Sequence, residues 1–152
     1  MTRVLESRLF DTIRQELGGT YSITADPDIA KFPRPQYVVR IDWTCDPAQT
    51  DALVQRVFQE IAFVRNIAFQ PGQVGRIRDA LQHDYETNSL ENGYLLGQIS
   101  RRYENGEVAD LAAVTNYPER LTELTGAAVH EAAMKYLDPT NYVKVILMPE
   151  GR

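Results

Sequence analysis

The amino-acid sequence predicts an α+β fold in which helices pack on one face of a small antiparallel sheet. Hydrophobic periodicity gives the element order helix, strand, strand, a block of helices and a last strand. The strands carry apolar residues at every second position, which is the pattern of a half-buried antiparallel sheet. Because strands and helices do not alternate one by one, the helices are expected to cover one face of the sheet.

The first element is predicted as a helix because apolar residues recur at every fourth position. These residues form one stripe on the helix surface: Leu5, Leu9, Ile13 and Leu17. Gly18 follows at the C′ position, where a residue in the left-handed backbone conformation, usually glycine, often ends a helix. A short strand is predicted at 20–24, and the proline-rich residues 26–35 are predicted to form a long loop.

The clearest strand is predicted at 36–45, where apolar and polar residues alternate. A helix is predicted immediately after it, with Asp46 as its N-cap and Pro47 as its first residue. The apolar face of this helix consists of residues at helical spacing, namely Leu53, Val57, Ile61 and Val64.

The helical block is predicted from its start and stop signals. These are Gln70-Pro71-Gly72, a bend near Asn88, Asn105-Gly106, Asn116-Tyr117-Pro118 and the N-cap Thr125. Residues 142–148 alternate again and predict a last strand, which Pro149 ends. Three strands make a thin sheet, and the first helix starts almost at residue 1. We therefore expect the chain to be part of a longer protein, with a further strand before residue 1.

Composition limits the classes of partner. The chain has 16 Lys and Arg residues and 21 Asp and Glu residues, which gives a net charge of -5. No basic run or stripe is present, so nucleic acid is not expected as a partner. No stretch approaches the roughly 18 apolar residues of a membrane span. The single cysteine, Cys45, excludes an internal disulfide and a multi-cysteine metal site.

The two histidines are not predicted to form a metal site. His130-Glu131 starts like the His-Glu-x-x-His zinc motif, but Met134 stands where the second histidine is required. His83 has no other ligand near it in the sequence, and a catalytic zinc ion needs about three protein ligands. No nucleophile elbow or phosphate-binding loop is present either. The chain is therefore not expected to contain a complete catalytic or metal site of its own.

The segment IRQELGGTYSI, residues 13–23, resembles the Arg-x6-Tyr signature in the C-terminal half of pitrilysin (insulinase-type) zinc peptidases. The matching residues are Arg14, Leu17, Gly18, Tyr21 and Ser22. The resemblance continues through the strand, turn and helix of residues 37–61, a helix around Asn92, and the closing residues 121–149. The sequence segments GGTY (18–21) and WTCDPAQ (43–49) most resemble the bacterial PqqL-like branch of this family.

The resemblance implies that residues 1–152 are a single domain, the C-terminal α/β unit of a longer two-half peptidase that encloses a chamber. In this family the N-terminal half holds zinc through His-x-x-Glu-His and a downstream glutamate. The C-terminal half holds no zinc, and its arginine and tyrosine, here Arg14 and Tyr21, contact the backbone of the peptide substrate. The chain alone would then be inactive, and its partners would be the peptide and the zinc-bearing half. The bacterial branch implies a periplasmic location for the longer protein.

The chemistry of Arg14 and Tyr21 suits this role. At about 100° per residue, Arg14 lies roughly 110° from the centre of the apolar stripe, beside the buried face. Both side chains donate hydrogen bonds, and losing a donor that stabilises a reacting carbonyl commonly costs about 10²–10³ in rate. A purely structural role is the alternative for both residues. Arg14, in the last turn of the helix, would complement the helix dipole, and Tyr21, in a strand next to a helix, would be part of the hydrophobic core. Gly18 and Gly19 are predicted to have a structural role, in which they provide the backbone geometry of the turn between the first helix and the first strand.

Two other functions stay open at this point. A non-catalytic homologue would use the same fold as a structural or peptide-binding subunit, with Arg14 and Tyr21 as relics or as a binding patch. A stand-alone α+β interaction module would be complete and monomeric. A domain that lacks an edge strand would instead expose unpaired backbone and associate with itself through that sheet edge.

Overall fold

The structure, a computed structural model, describes residues 1–17 and 22–149, without the side chains of 14–17. Its helices are α1 Thr2–Leu17, α2 Thr50–Asn66, α3 Pro71–Asn88, α4 Asn92–Glu104, α5 Tyr117–Thr122 and α6 Gly126–Tyr136. Its strands are β1 Ile23–Ala30 and β2 Gln36–Trp43, which form an antiparallel pair. Two 3₁₀ segments lie at Pro47–Gln49 and Val108–Val114. The predicted α+β fold class is confirmed.

The chain divides into two compact units. Unit 1 contains Met1–Ile29, Tyr37–Ile67 and His130–Arg152, and unit 2 contains Ala30–Gln36 and Ala68–Val129. Unit 1 therefore holds α1, α2 and most of both strands, and unit 2 holds α3, α4 and α5. Within the described part of the chain, no helix combines the length and the apolar composition that crossing a membrane requires.

The core of unit 1 forms where α1 packs against α2. Both helices contribute side chains with almost no exposed area, namely Leu5, Leu9, Ile13, Leu53 and Val64. The predicted stripe of α1 is thus confirmed at its first three positions, whereas the side chain of Leu17 lies outside the described residues. Burying each large aliphatic side chain stabilises the fold by about 1.5–3 kcal/mol.

Strand β1 is longer than predicted. It runs from Ile23 to Ala30 and includes Asp26-Pro27-Asp28, which the sequence had assigned to a loop. Proline has no N–H for the ladder, but both strands of a two-stranded sheet are edges, where proline is tolerated. The connection between the strands is therefore only residues 31–35. At the far end of β2, Trp43 is half-buried.

The prediction of a last strand at 142–148 is wrong. Residues 142–149 have no regular secondary structure, and neither β1 nor β2 pairs with them. The alternation of apolar residues is present, but a strand also needs partners for its N–H and C=O groups. The described residues therefore form a sheet of two strands instead of the predicted three.

Side chains of unit 1 fix the end of α6. Arg65 donates from Nη1 to the carbonyl oxygens of Met134 and Leu137, at 3.0 and 2.7 Å. In the turn that follows, Asp138 accepts hydrogen bonds from the N–H and the hydroxyl of Thr140, at 2.9 and 2.8 Å. These hydrogen bonds, the backbone one first, hold the pKa of the Asp138 carboxyl below its usual range.

Unit 2 is built around α3, which packs against α5. The start of α3 is as predicted, with Pro71 in its first turn and a capping box between Gln70 and Gln73. Near the other end of α3, the Tyr85 hydroxyl donates to the carbonyl oxygen of Val114 at 3.2 Å. This hydrogen bond ties α3 to the second 3₁₀ segment.

Two further helix boundaries in unit 2 follow the sequence signals. Gly106, just past α4, has a φ of 70°, a conformation that glycine adopts without strain. The Thr125 hydroxyl caps α6 by accepting a hydrogen bond from the N–H of Ala128 at 3.2 Å. Gly126 starts α6 so close to Phe69 that an added Cβ would lie 2.6 Å from the Phe69 carbonyl oxygen.

Candidate functional site

The two residues predicted to contact substrate, Arg14 and Tyr21, belong to the part of the sequence in which α1 ends and β1 follows. Arg14 lies near the C-terminal end of α1, and β1 begins at Ile23. The side chain of Arg14, and the whole of Gly18, Gly19 and Tyr21, lie outside the described residues. Their contacts with substrate and their turn geometry stay predictions. The described residues do show what holds the two sides of this junction.

The α1 side is held by Glu60, a buried carboxylate on α2. Glu60 is 3% exposed, and its oxygens accept hydrogen bonds from Arg8 Nε at 2.7 Å and from the Thr12 hydroxyl at 3.4 Å. Arg56, one turn earlier on α2, places its Nη2 3.5 Å from the same carboxylate. Such donors are needed because removing a charged carboxylate from water is costly.

Arg8 makes a second contact with α2. Its guanidinium carbon lies 3.6 Å from the centroid of the Phe63 ring, which is a cation–π arrangement. Arg8 and Thr12 are four residues apart and share one face of α1. Because Thr12 precedes Arg14 by two residues, the helix turn that carries Arg14 is fixed on α2 by polar and aromatic contacts as well as by the apolar stripe.

The β1 side is held by the first residues of the strand. Ile23 is 6% exposed and Ala25 is 3% exposed. Alternate residues of a strand lie on the same face, so this face of β1 enters the core of unit 1 two residues after Tyr21. Both sides of the junction are therefore anchored in unit 1.

Sequence analysis did not identify Glu60. A signal was available, because Glu60 stands within the buried face of α2, three residues after Val57 and four before Val64. A charged residue inside an apolar stripe is a candidate for a buried ion pair. Arg56, four residues before it, supplies an opposite charge at the spacing where helix side chains meet.

An open pocket of about 660 Å³ lies within unit 2. One wall is a face of α4, on which Tyr94, Gln98 and Arg102 recur every four residues. Tyr117 and Arg120 line it from α5. The lining combines aromatic and aliphatic side chains with cationic, amide and carboxylate groups.

The histidines and the cysteine do not form a metal site with other described residues. Within 1–17 and 22–149, no group of three His, Cys, Asp or Glu side chains is placed to hold a metal ion. His83 lies in α3 and His130 in α6. The thiol of Cys45 is half-buried, with its Sγ 3.7 Å from the hydroxyl oxygen of Thr50.

The sequence model of one family matches residues 1–81, and its description is the peptidase M16 inactive domain. This match is slightly more than half of the 152 residues. It includes α1, both strands, α2 and the first part of α3. A search of curated proteins finds no match.

Among solved structures, the crystal structure of the periplasmic protease PqqL from Escherichia coli is similar to this chain, with a TM-score of 0.70 at 18% sequence identity. The alignment covers 90% of this chain and 15% of the PqqL chain, so this chain spans only a small part of that protein's length. A likeness at this identity shows the fold, and the predicted pitrilysin-type α/β unit is confirmed at that level.

The family description and the shared fold agree with the resemblance read from the sequence. An inactive domain is in keeping with the expectation that zinc lies elsewhere in such proteins. Because the family model matches more than half of the chain, this protein belongs to the peptidase M16 inactive domain family.

Proposed function

We propose that the chain is the substrate-contacting, non-zinc C-terminal domain of a zinc metallopeptidase that cleaves peptides in a chamber between two halves. The observation that carries this proposal is the family match over residues 1–81, which includes Arg14 and Tyr21. The anchoring of α1 by Glu60 supports it, since donors that act on a reacting carbonyl must be held in place.

In this proposal Arg14 and Tyr21 supply hydrogen-bond donors. Arg14 carries a permanent positive charge and several N–H donors, and Tyr21 carries one hydroxyl donor. Directed at carbonyl oxygens of a bound peptide, these groups would orient its backbone and stabilise the charge that develops during hydrolysis. Zinc in the N-terminal half of the longer protein would polarise the scissile carbonyl and activate water.

The test is peptide turnover by the full-length protein with single substitutions. Arg14→Ala and Tyr21→Phe are each expected to lower kcat/KM by about 10²-fold or more, with unchanged thermal unfolding. Arg3→Ala is the matched control, because Arg3 lies on the same helix and forms an exposed ion pair with Glu6 at 3.3 Å. It is expected to leave turnover unchanged. Wild-type turnover in both variants would remove Arg14 and Tyr21 from the mechanism.

The 152-residue chain alone is expected to be inactive toward peptides, with or without added zinc. The physical reason is that the proposed donors only assist a reaction whose metal and general base lie in the other half. Hydrolysis by the isolated chain at a zinc-dependent rate would contradict its assignment as a non-zinc domain.

A non-catalytic structural or peptide-binding subunit is the second candidate, and the family's description as an inactive domain favours it. The two candidates differ in the metal content of the full-length protein. About one zinc ion per protein, together with peptide hydrolysis, supports the peptidase. A metal-free protein that binds peptides without cleaving them supports the subunit.

A further inference from the structure

The pocket of unit 2 is formed by one continuous stretch of chain. Its lining residues all lie between Leu81 and Ala128, inside the limits of unit 2. The volume of about 660 Å³ falls within the range of roughly 300–1,000 Å³ that is typical of pockets for small organic ligands. Unit 2 alone therefore provides a cavity of the size that a small ligand requires.

The buried part of the pocket lining is apolar and firmly held. Ala113, Val114 and Leu121 are buried. Tyr117 adds an aromatic wall, and its ring centroid lies 5.3 Å from that of Tyr85, whose hydroxyl is the donor to the Val114 carbonyl oxygen. Such a surface favours an apolar side chain of a ligand, because burying apolar area is favourable and a fixed ring loses little freedom on binding.

The pocket also presents one positive and one negative charge that other described residues leave unpaired. Arg120, near the end of α5, and Glu123, directly after this helix, both line the pocket and are exposed. Among the described residues, neither side chain has an ion-pair or hydrogen-bond partner. Arg102 differs, because Asp110 lies 3.0 Å from its Nη1 and compensates its charge. A ligand that complements the pocket therefore carries one negative and one positive group.

The part of the chain that carries Arg120 and Glu123 is fixed to α3. Arg78 of α3 donates from Nη2 to the carbonyl oxygen of Leu124 at 2.9 Å, directly after Glu123. Helices α3 and α5 also pack against each other. Because the backbone is held, only the two charged side chains lose freedom when they engage a ligand, which lowers the cost of binding.

Gln98 provides groups that match a peptide bond. Its side chain lines the pocket from α4 and forms no hydrogen bond with another described residue. The side-chain amide can both donate and accept hydrogen bonds, and a peptide bond offers one N–H and one C=O. A ligand that has two opposite charges with a peptide bond between them is a short peptide with free termini.

We propose that the pocket of unit 2 binds a peptide of about two to four residues that has free termini and an apolar side chain. Arg120 donates hydrogen bonds to the terminal carboxylate, and Glu123 accepts them from the terminal ammonium group. The apolar side chain lies against Tyr117 and the buried part of the lining. A free amino acid carries the same two charges, but it has no peptide bond for Gln98 and fills less of the pocket. This inference goes beyond the proposed function and does not rest on it.

The first test is an NMR titration of the isotope-labelled 152-residue chain with the dipeptide phenylalanyl-leucine. Two capped analogues test the two charges, since N-acetyl-phenylalanyl-leucine lacks the ammonium group and phenylalanyl-leucine amide lacks the carboxylate. Each analogue is expected to bind about fivefold more weakly than the dipeptide, because one ion pair is lost at an exposed position. Phenylalanine alone is also expected to bind more weakly than the dipeptide.

Substitutions assign the two charges to the two termini. Arg120→Gln is expected to weaken binding of the dipeptide about fivefold and to leave binding of its amide unchanged, because the amide has no carboxylate. Glu123→Gln is expected to weaken the dipeptide equally and to leave the N-acetyl analogue unchanged. Arg76→Gln and Glu119→Gln are the matched controls, because they remove the same charges at exposed positions outside the pocket lining.

The selective pattern in the two pocket variants, with wild-type binding in both controls, supports the proposal, and circular dichroism checks that all four variants fold. No binding of the dipeptide up to about 5 mM overturns it. Equal weakening by the controls also overturns it, because the attraction would then come from the overall charge of the chain.

Two further outcomes test the kind of ligand and the access to the pocket. Phenylalanine that binds as tightly as the dipeptide would overturn the assignment to a peptide. The titration is then repeated with the full-length protein, in which the dipeptide is expected to bind with a similar affinity. Binding by the 152-residue chain but not by the full-length protein would overturn the proposal, because another part of that protein would then occupy the pocket.

Discussion

Glu60 accepts hydrogen bonds from two residues of α1, while its own helix supplies an ion pair through Arg56. One buried carboxylate therefore connects α2 to the part of α1 that leads into Arg14. Such a residue does not touch substrate in the proposed function. Its effect is on the position of the helix that carries a proposed donor.

Replacing Glu60 with alanine is expected to lower the free energy of unfolding by about 1–3 kcal/mol, because its donors lose their acceptor. The cost should stay below the roughly 3–5 kcal/mol of a fully buried pair, since the side chains of Arg8 and Arg56 are 33% and 28% exposed and can turn to water. Glu60→Gln keeps an acceptor oxygen and should cost less. Urea unfolding measures both changes, and a Glu60→Ala variant as stable as wild type would contradict this role.

The candidate site shows what sequence can reveal at the scale of single residues. Arg14 and Tyr21 are proposed from the sequence because their spacing on either side of Gly18 and Gly19 forms part of a recognisable motif. Glu60 is harder to predict, because which charged residue of a helix is buried depends on the partner that packs against it. The contacts of Arg14 and Tyr21 themselves stay predictions.

Among the secondary-structure elements, helices are predicted more completely than strands. The start of α3 at Gln70 and the cap of α6 at Thr125 depend on residues adjacent in sequence. A strand depends on a partner strand, which its own residues do not identify. Pairing with β2 lets β1 continue through Pro27, although proline indicates a loop, and residues 142–148 have the strand pattern without a partner among the described residues.

The start of α6 supplies a prediction at the same scale. Gly126→Ala is expected to destabilise the chain by about 1–3 kcal/mol, because the new Cβ would meet a backbone oxygen that cannot move freely. That oxygen, of Phe69, would lie 2.6 Å away. Gly97→Ala, within α4, is the control, because nothing lies within 4 Å of its added Cβ.

The control should stabilise the chain by about 0.5–1 kcal/mol, since alanine restricts the unfolded chain and favours the helix. Urea unfolding of the two variants measures the difference. A shift of the same sign and size for both would show that the approach to Phe69 places no constraint on Gly126.

For the whole molecule, the family was predictable because several sequence motifs, each weakly specific by itself, occur in the expected order along the chain. This held although the chain is only 18% identical to PqqL. The assignment of residues 1–152 as a single domain stays a prediction, and the described chain forms two compact units. Whether residues 142–148 form a third strand also depends on the whole molecule, because a strand needs a second strand with which to pair.

The position of Trp43 at the end of β2 has a practical consequence. Trp43 is the only tryptophan of the sequence, and it is half-buried in unit 1. When tryptophan fluorescence is excited selectively, the emission of the chain therefore comes from Trp43 alone and reports on unit 1. A change in its wavelength or intensity during unfolding would report the solvation of β2, whereas circular dichroism would average over the helices of both units. Comparing the two optical signals would show whether the units lose their structure together.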